Sequence, residues 1–245
     1  MSDEHGIKIQ RMFDTISRRY DLLNRLLSFG MDIRWRWKAV KLLGDMRGKT
    51  VVDLCCGSGD FLVIFRKKYT GDIRLVGIDF ARNMLTLAHQ RFDRKGCERP
   101  WLCRADATRL PLPDQSADAV TIGFGIRNIV DKDGALREIY RALRPGGRLI
   151  IVEPAIPANF PARFLFTFYF RRVMPVIGGL ISGDRAAYRY LHDSVATFPE
   201  PRRFLDLMTA AGFGDVRALP QSFGAAIVYH GHKPASAPTG IAADP

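Results

Sequence analysis

Three acidic residues and one pair of glycines carry the first chemical information in this chain. The run Thr50-Val-Val-Asp-Leu-Cys-Cys is strand-like and stops at Gly57-Ser-Gly59-Asp60. Glycines at 57 and 59 permit a tight turn and let backbone N–H groups approach a ligand closely. Asp53 lies in that strand, and Asp79 ends the next one, 20 residues beyond Gly59. A carboxylate at such a place lies where a ribose diol would sit and accepts two hydroxyl hydrogen bonds at once. A third acid, Asp106, closes a third short strand in Arg104-Ala-Asp-Ala107. With Ala107 beside it, it suits an adenine ring and its amino group. A dinucleotide fingerprint wants another small residue three positions after Gly59, and this chain has Leu62 there. No basic residue for a phosphate stands among these acids. The set therefore fits an adenosyl ligand without phosphates, S-adenosylmethionine. Any one of the three could be an ordinary helix cap; three at successive strand ends point to a ligand.

The elements that must position these residues follow from the apolar rhythm. Met12, Phe13, Ile16, Tyr20, Leu23 and Leu27 recur at helical steps from Ile7 to Leu27, Gly30 breaks the pattern, and a second helical run carries Trp35, Trp37, Val40 and Leu43. Strand-like runs are expected over 50–56, 73–79, 101–105, 118–125 and 148–153, the last entered through the Pro145-Gly146-Gly147 turn. Helical runs fall between them at 61–69, 81–94 and 133–143. A helix over 202–211 precedes strands at 215–219 and 225–230, which are too close for a crossover helix and must pair antiparallel. Alternating strands and helices, with strands apolar on both faces, predict a Rossmann-like α/β fold. Its sheet is seven-stranded and mostly parallel with a C-terminal antiparallel strand, covered by helices on both faces. The expected organisation is an N-terminal helical cap over 1–48, a core over 49–233 with a helical insertion at about 157–198, and a disordered tail over 234–245.

The 245 residues, 47% of them apolar, suit one globular enzyme domain. No apolar signal-peptide region opens the chain. Its most apolar stretch, Phe160 to Ser182, is broken by Arg163, Arg171, Arg172 and Pro175, so no spanning helix of about 20 apolar residues is expected. The expected location is the cytoplasm. Cys55, Cys56, Cys97 and Cys103 form no CxxC pair and no metal site, and they read as reduced thiols. A formal charge of +12 asks for an acidic partner. Much of the excess lies in the N-terminal segment (Arg11, Arg18, Arg19, Arg25, Arg34, Arg36, Lys38, Lys41) and over Arg163 to Arg189, interleaved with large apolar side chains. That mixture suits an anionic membrane surface met from the cytoplasmic side, or solvated helix faces. Nucleic acid is disfavoured, because no RNA-binding module precedes the core and Gly123-Phe-Gly125 stands where a base-methylation motif would follow the fourth strand. Self-association stays open.

From about Gln10 to Lys233 the chain resembles the ubiquinone/menaquinone biosynthesis C-methyltransferases. Tyr20-Asp-Leu-Leu-Asn24, then Ser28-Phe-Gly30 and a Trp-Arg pair, is similar to the family's N-terminal signature. Gly123-Phe-Gly-Ile-Arg-Asn128 resembles its motif after the fourth strand, and Arg141 to Arg148, leading to Glu153, its second signature. Tyr188-Arg-Tyr-Leu191, with Ser194 and Phe198-Pro199, is similar to its substrate segment. Asp32 stands where His is common, Leu62 where Thr is frequent, Gly123 where Ser is frequent, Ala155 where Ser is expected and Gly183 where Asn is common. The resemblance implies a class I methyltransferase acting on a prenylated hydroquinone, with Leu62 and Gly123 in the donor site alongside Asp53, Gly57, Gly59, Asp79, Asp106 and Ala107. Tyr20, Asn24, Tyr188 and His192 would orient the ring. The naphthoquinol and benzoquinol alternatives stay open.

Methylating a ring carbon requires a neighbouring phenolate, and a phenol of pKa about 10 needs a base or a stabilising cation near neutral pH. Arg127 and Asn128, just past the fourth strand, are the first candidates, with Tyr188 behind them, unless Arg127 pairs with a structural carboxylate. The run Phe164 to Phe170 reads as an entrance for a prenyl tail. Two other readings remain: methylation of a different aromatic or lipid acceptor, and a non-catalytic donor-binding scaffold in a quinone-synthesis assembly.

Overall fold

The structure, a computed structural model, describes Arg25, residues 28–169, Arg172 and residues 193–235. Tyr20, Asn24, Gly183, Tyr188, His192, most of the expected N-terminal helix and the tail past Ala235 lie outside the described residues.

Helix α1 (Met31–Leu42) starts after Gly30, whose φ of 72° is the left-handed conformation that ended the preceding rhythm. Strand β1 (Thr50–Leu54), helix α2 (Asp60–Lys68), strand β2 (Arg74–Asp79), helix α3 (Arg82–Lys95) and strand β3 (Trp101–Arg104) form one half of the fold. Strand β4 (Ala117–Gly123), a 3-10 turn (Ile126–Asn128), helix α4 (Lys132–Ala142) and strand β5 (Leu143–Pro154) follow. After helix α5 (Ala162–Phe168) come helix α6 (Pro201–Ala210), strand β6 (Gly214–Gln221) and strand β7 (Ala226–His232).

The sheet order is β3-β2-β1-β4-β5-β7-β6, with β1 to β5 parallel and β7 antiparallel to both β5 and β6. The expected antiparallel pairing of the last two strands holds. The turn expected at Pro145-Gly146-Gly147 is a bulge within β5: the pairing with β4 jumps from Ala117–Leu143 to Ala119–Arg148. Strand order reverses between β1 and β4, which opens a crevice at their carboxyl ends.

Both faces of the sheet are buried. Val51, Ile150, Val152 and Val228 face a cluster with α1, α2 and Phe92 of α3, whereas Val52, Leu149, Ile151 and Tyr229 face one with α4 and α6. Consecutive apolar residues in β1 and β5 thus feed opposite layers, which is why these strands lack polar alternation. Trp35, Ala39 and Val40 of α1 belong to the first cluster, so the described part of the expected N-terminal cap shares the core of the sheet.

Leu62 explains how α2 approaches the sheet without the third glycine of a dinucleotide fingerprint. Its side chain is fully buried, and a Cβ added to Gly77 of β2 would lie 2.8 Å from Leu62 Cδ1 and 2.6 Å from Leu102 Cδ2. The strand gives up the side chain here instead of the helix. Leu62→Ala should cost about 2–5 kcal/mol through the cavity it leaves, and Gly77→Ala about 1–3 kcal/mol through overpacking. In urea melts the double variant should lose clearly less than the sum of the two, because the new methyl occupies space vacated by the leucine.

Candidate active site

The loop between β1 and α2 turns through Cys55 (φ 54°), Gly57 (φ 54°) and Gly59 (φ 85°). Its shape is held from β2. The carboxylate of Asp79 accepts the Gly57 N–H on one oxygen and the Ala81 N–H on the other, each at 2.8 Å. A carboxylate has about four acceptor positions, so two backbone bonds orient Asp79 without exhausting it. Beside it, β3 is tied to the same rim by Ala105 N–H to the Asp79 carbonyl and Arg104 Nε–H to the Phe80 carbonyl. Asp106 is exposed two residues past β3 and accepts both the N–H and the hydroxyl of Thr108, an Asx-turn that fixes its side chain. Ala107 is buried behind it. Asp79, Asp106 and the glycine loop therefore line adjacent strand ends, as expected.

Asp53 is different. Its side chain is buried and accepts the Thr121 hydroxyl of β4 at 2.8 Å. Burial pushes its carboxyl up to about 8, more than the Thr121 hydrogen bond and the charge of Arg36 bring it down. Asp53 is thus mostly neutral at pH 7, set under the loop instead of at its rim.

Gly123 ends β4 where only hydrogen fits: an added Cβ would lie 2.9 Å from the Phe61 ring and 3.2 Å from Arg36 Nε. A serine side chain here would meet both. Gly125 is equally crowded, because an added Cβ would collide with Cys55. The loops after β1 and β4 therefore touch across the crevice.

Arg127, expected to face a developing oxyanion, is turned inward. Its Nη1 donates to Glu153 Oε2 at 2.8 Å and to the Phe124 carbonyl at 2.5 Å, with the two side chains 4% and 1% exposed. The alternative reading, a structural carboxylate partner, is what the geometry contains. Burial raises the Glu153 carboxyl, and Arg127 opposes that shift without cancelling it. Asn128 is half-buried, and its N–H donates to the Gly125 carbonyl.

Arg25 and Arg36, counted above with a lipid-facing surface, also point inward, and sequence reasoning missed their partners. Arg36 is buried and donates to Asp32 at 2.7 Å, and Arg25 donates to Asp32 and to Asp60. Arg91 of α3 reaches Asp60 at 2.8 Å and Ser58 Oγ at 3.2 Å. The Asp32 to Arg36 step of four residues was readable as a helical ion pair. The long-range partners, Arg25 and Arg91, carried no local signal. Among the described residues no group of acids, cysteines and histidines could hold a metal ion.

A sheet of this order, with a glycine turn and acids at the carboxyl ends of its first three strands, defines a class I S-adenosylmethionine-dependent methyltransferase. A solved methyltransferase of the same class from Thermotoga maritima, described as a possible histamine N-methyltransferase, superposes with a TM-score of 0.62 at 22% identity, over 91% of this chain and 98% of that one. The chain belongs to the ubiE/COQ5 methyltransferase family, whose profile matches residues 1–233. It is 46% identical over 223 residues to the demethylmenaquinone methyltransferase of Thermus thermophilus, covering 91% of this chain and all of that one. It is 42% identical over 235 residues to the ubiquinone/menaquinone biosynthesis C-methyltransferase UbiE of Geobacter sulfurreducens, covering 94% and 90% respectively.

The Arg127–Glu153 pair can be tested by stability. Arg127→Leu leaves a buried carboxyl without its cation and should cost about 3–5 kcal/mol, whereas Arg127→Leu/Glu153→Leu should recover much of that loss. Urea denaturation midpoints decide it. A single variant as stable as the parent would show that the ion pair is absent from the folded protein.

Proposed function

We propose that this enzyme transfers the methyl group of S-adenosylmethionine to a ring carbon of a reduced, prenylated quinol on the menaquinone or ubiquinone route. The observation that carries this reading is family membership, with relatives named for demethylmenaquinone and ubiquinone/menaquinone methylation over nearly the whole chain. The site suits the donor: the rim offers the Asp79 carboxylate for a ribose diol and Asp106 with Ala107 for adenine, beside a glycine turn that Asp79 itself holds. Gly57 and Gly59 give the turn its left-handed backbone, Gly123 lets the end of β4 pack on Phe61, and Leu62 packs beneath Gly59.

Bound donor supplies an electrophilic methyl on a sulfonium, and the chain's task is alignment of the acceptor carbon behind it. In this reading Asn128, in the turn after β4 that the buried Arg127–Glu153 pair braces, stabilises the phenolate that makes the ring carbon nucleophilic, directly or through water. Tyr20, Asn24, Tyr188 and His192 orient the ring hydroxyls. Phe160, Phe164 and Phe168, four residues apart, are 81%, 59% and 54% exposed beside the exposed Arg163 and Arg172. That mixture supports peripheral contact with an anionic bilayer, where so insoluble an acceptor resides. No helix among the described residues is long and apolar enough to cross a membrane.

Two measurements test this. Labelled donor, incubated with reduced demethylated naphthoquinol and benzoquinol precursors in anionic vesicles or neutral detergent, should give a ring-C-methylated product. Turnover in vesicles should fall as salt rises, and turnover in detergent should not. Donor binding without product on either quinol would favour the scaffold reading, and equal salt dependence in both carriers would remove the membrane contact. Second, a cationic donor favours the ionised form of Asp53, whose carboxyl stands at about 8 without it. Donor binding below that pH should release a proton, affinity should rise toward pH 8 and level off above, and Asp53→Asn should flatten the profile. Calorimetry in buffers of different ionisation enthalpy reads the proton directly.

A further inference from the structure

The loop that receives the donor is joined by ion pairs to an element that the glycine and acid motifs do not include. Asp60, the first residue of α2 and the neighbour of Gly59, accepts Arg25 Nη2 at 2.6 Å and Arg91 Nη1 at 2.8 Å, with Arg36 Nη2 at 3.4 Å. Arg91 also donates to the Ser58 carbonyl and hydroxyl, so the same guanidinium grips two consecutive parts of the loop. Behind Asp60 lies a second carboxylate. Asp32 of α1, 1% exposed, takes Arg25 and Arg36 on one oxygen and the Ser28 hydroxyl on the other. Arg36 crosses between the two loops, with its guanidinium carbon 4.5 Å from the centre of the Phe124 ring and 5.7 Å from that of Phe61. Three guanidinium groups thus share two carboxylates, one buried and one largely so.

From this we infer that Asp32 is a positioning residue for the donor loop: by neutralising Arg25 and Arg36 it holds them on Asp60, and so couples the conformation of Ser58 to Asp60 to the placement of Arg25. Without the Asp32 charge, Arg25 and Arg36 would compete for Asp60, which Arg91 already holds, and Arg36 is buried. Arg25, 24% exposed, is the one that can leave. Its departure removes one of the guanidinium contacts on Asp60 and loosens the turn that Asp79 and Arg91 hold from the other side. The inference rests on the 55–60 loop being the donor site, and it holds whichever quinol is the acceptor.

The experiment compares the parent with Asp32→Asn, Arg25→Gln and the double variant, with Asp45→Asn as a control in an exposed ion pair with Arg47. Hydrogen exchange in the ligand-free protein is read at the amides of residues 57–60 and at Leu149 to Val152 in the sheet. Donor Kd is read by calorimetry, and kcat and KM with whichever acceptor supports turnover. Asp32→Asn should speed exchange at 57–60 and raise the donor Kd by about tenfold each, the middle of the range for residues within one charge network. Sheet exchange should stay within about twofold, and kcat at saturating donor should stay close to the parent value. Arg25→Gln should match it, and the double variant should be no worse than either single one. Parent-like loop exchange and Kd in folded Asp32→Asn would overturn the proposal. Equal acceleration of loop and sheet would also overturn it, by showing that Asp32 serves only global stability. Altered loop exchange with no donor binding in the parent would instead count against the donor-site reading.

Discussion

The conformation of five residues, Cys55 to Gly59, depends on one carboxylate that is not part of the loop. Asp79 takes an N–H from Gly57 and another from Ala81, so the end of β2 dictates how the chain leaves β1. The loop cannot hold this shape by local preference, because Cys55 is a non-glycine residue at positive φ, an arrangement that costs about 1 kcal/mol or more and persists only where neighbours over-determine it. Here the neighbours are Asp79, Arg91 on Ser58, and Gly125, whose missing side chain leaves room for Cys55. The crevice where strand order reverses is thus built by three elements pressing on one turn.

Charge is handled at this rim in two opposite ways. Asp53 is buried and Asp60 largely so, and they are only seven residues apart in sequence. Burial pushes both up, but Arg36, Arg91 and Arg25 together outweigh it at Asp60 and hold that carboxyl below its usual range, whereas Asp53 has only a threonine hydroxyl in contact and rises to about 8. The difference is the distance to guanidinium, not the residue type. One acid is a permanent anion that anchors the frame, and the other is a carboxyl that burial brings into the range where it titrates. The Arg127–Glu153 pair extends the same logic to the turn after β4, where a buried acid is tolerable only because its cation sits on it.

Much of this was legible beforehand. Every strand of the sheet, the helices between them and the antiparallel final pair followed from apolar rhythm and turn residues, because hydrophobic burial on both faces leaves a period that a sequence displays. Asp79, Asp106 and the glycines were readable since strand ends in this topology converge on one rim. Arg127 was read by type and position, yet its direction depended on Glu153, 26 residues away. Arg25 and Arg36 were read as surface charge because their shared partner Asp60, 35 and 24 residues away, had no reason in sequence to be near them, although the four-residue step from Asp32 to Arg36 was a local signal. Leu62 appeared as a missing glycine, although the glycine stands in the strand opposite, at Gly77.

What the amino-acid sequence alone determined is the order of elements, the family and the residue types that stand at the strand ends, since local periodicity and turn chemistry are encoded over a few neighbouring positions. Tertiary structure alone decided which charges face inward, which acid is neutral and which small residue makes room for which large one. Those outcomes depend on distances between side chains far apart in the chain and on how deeply each is removed from water, and neither quantity exists until the sheet has closed over its helices.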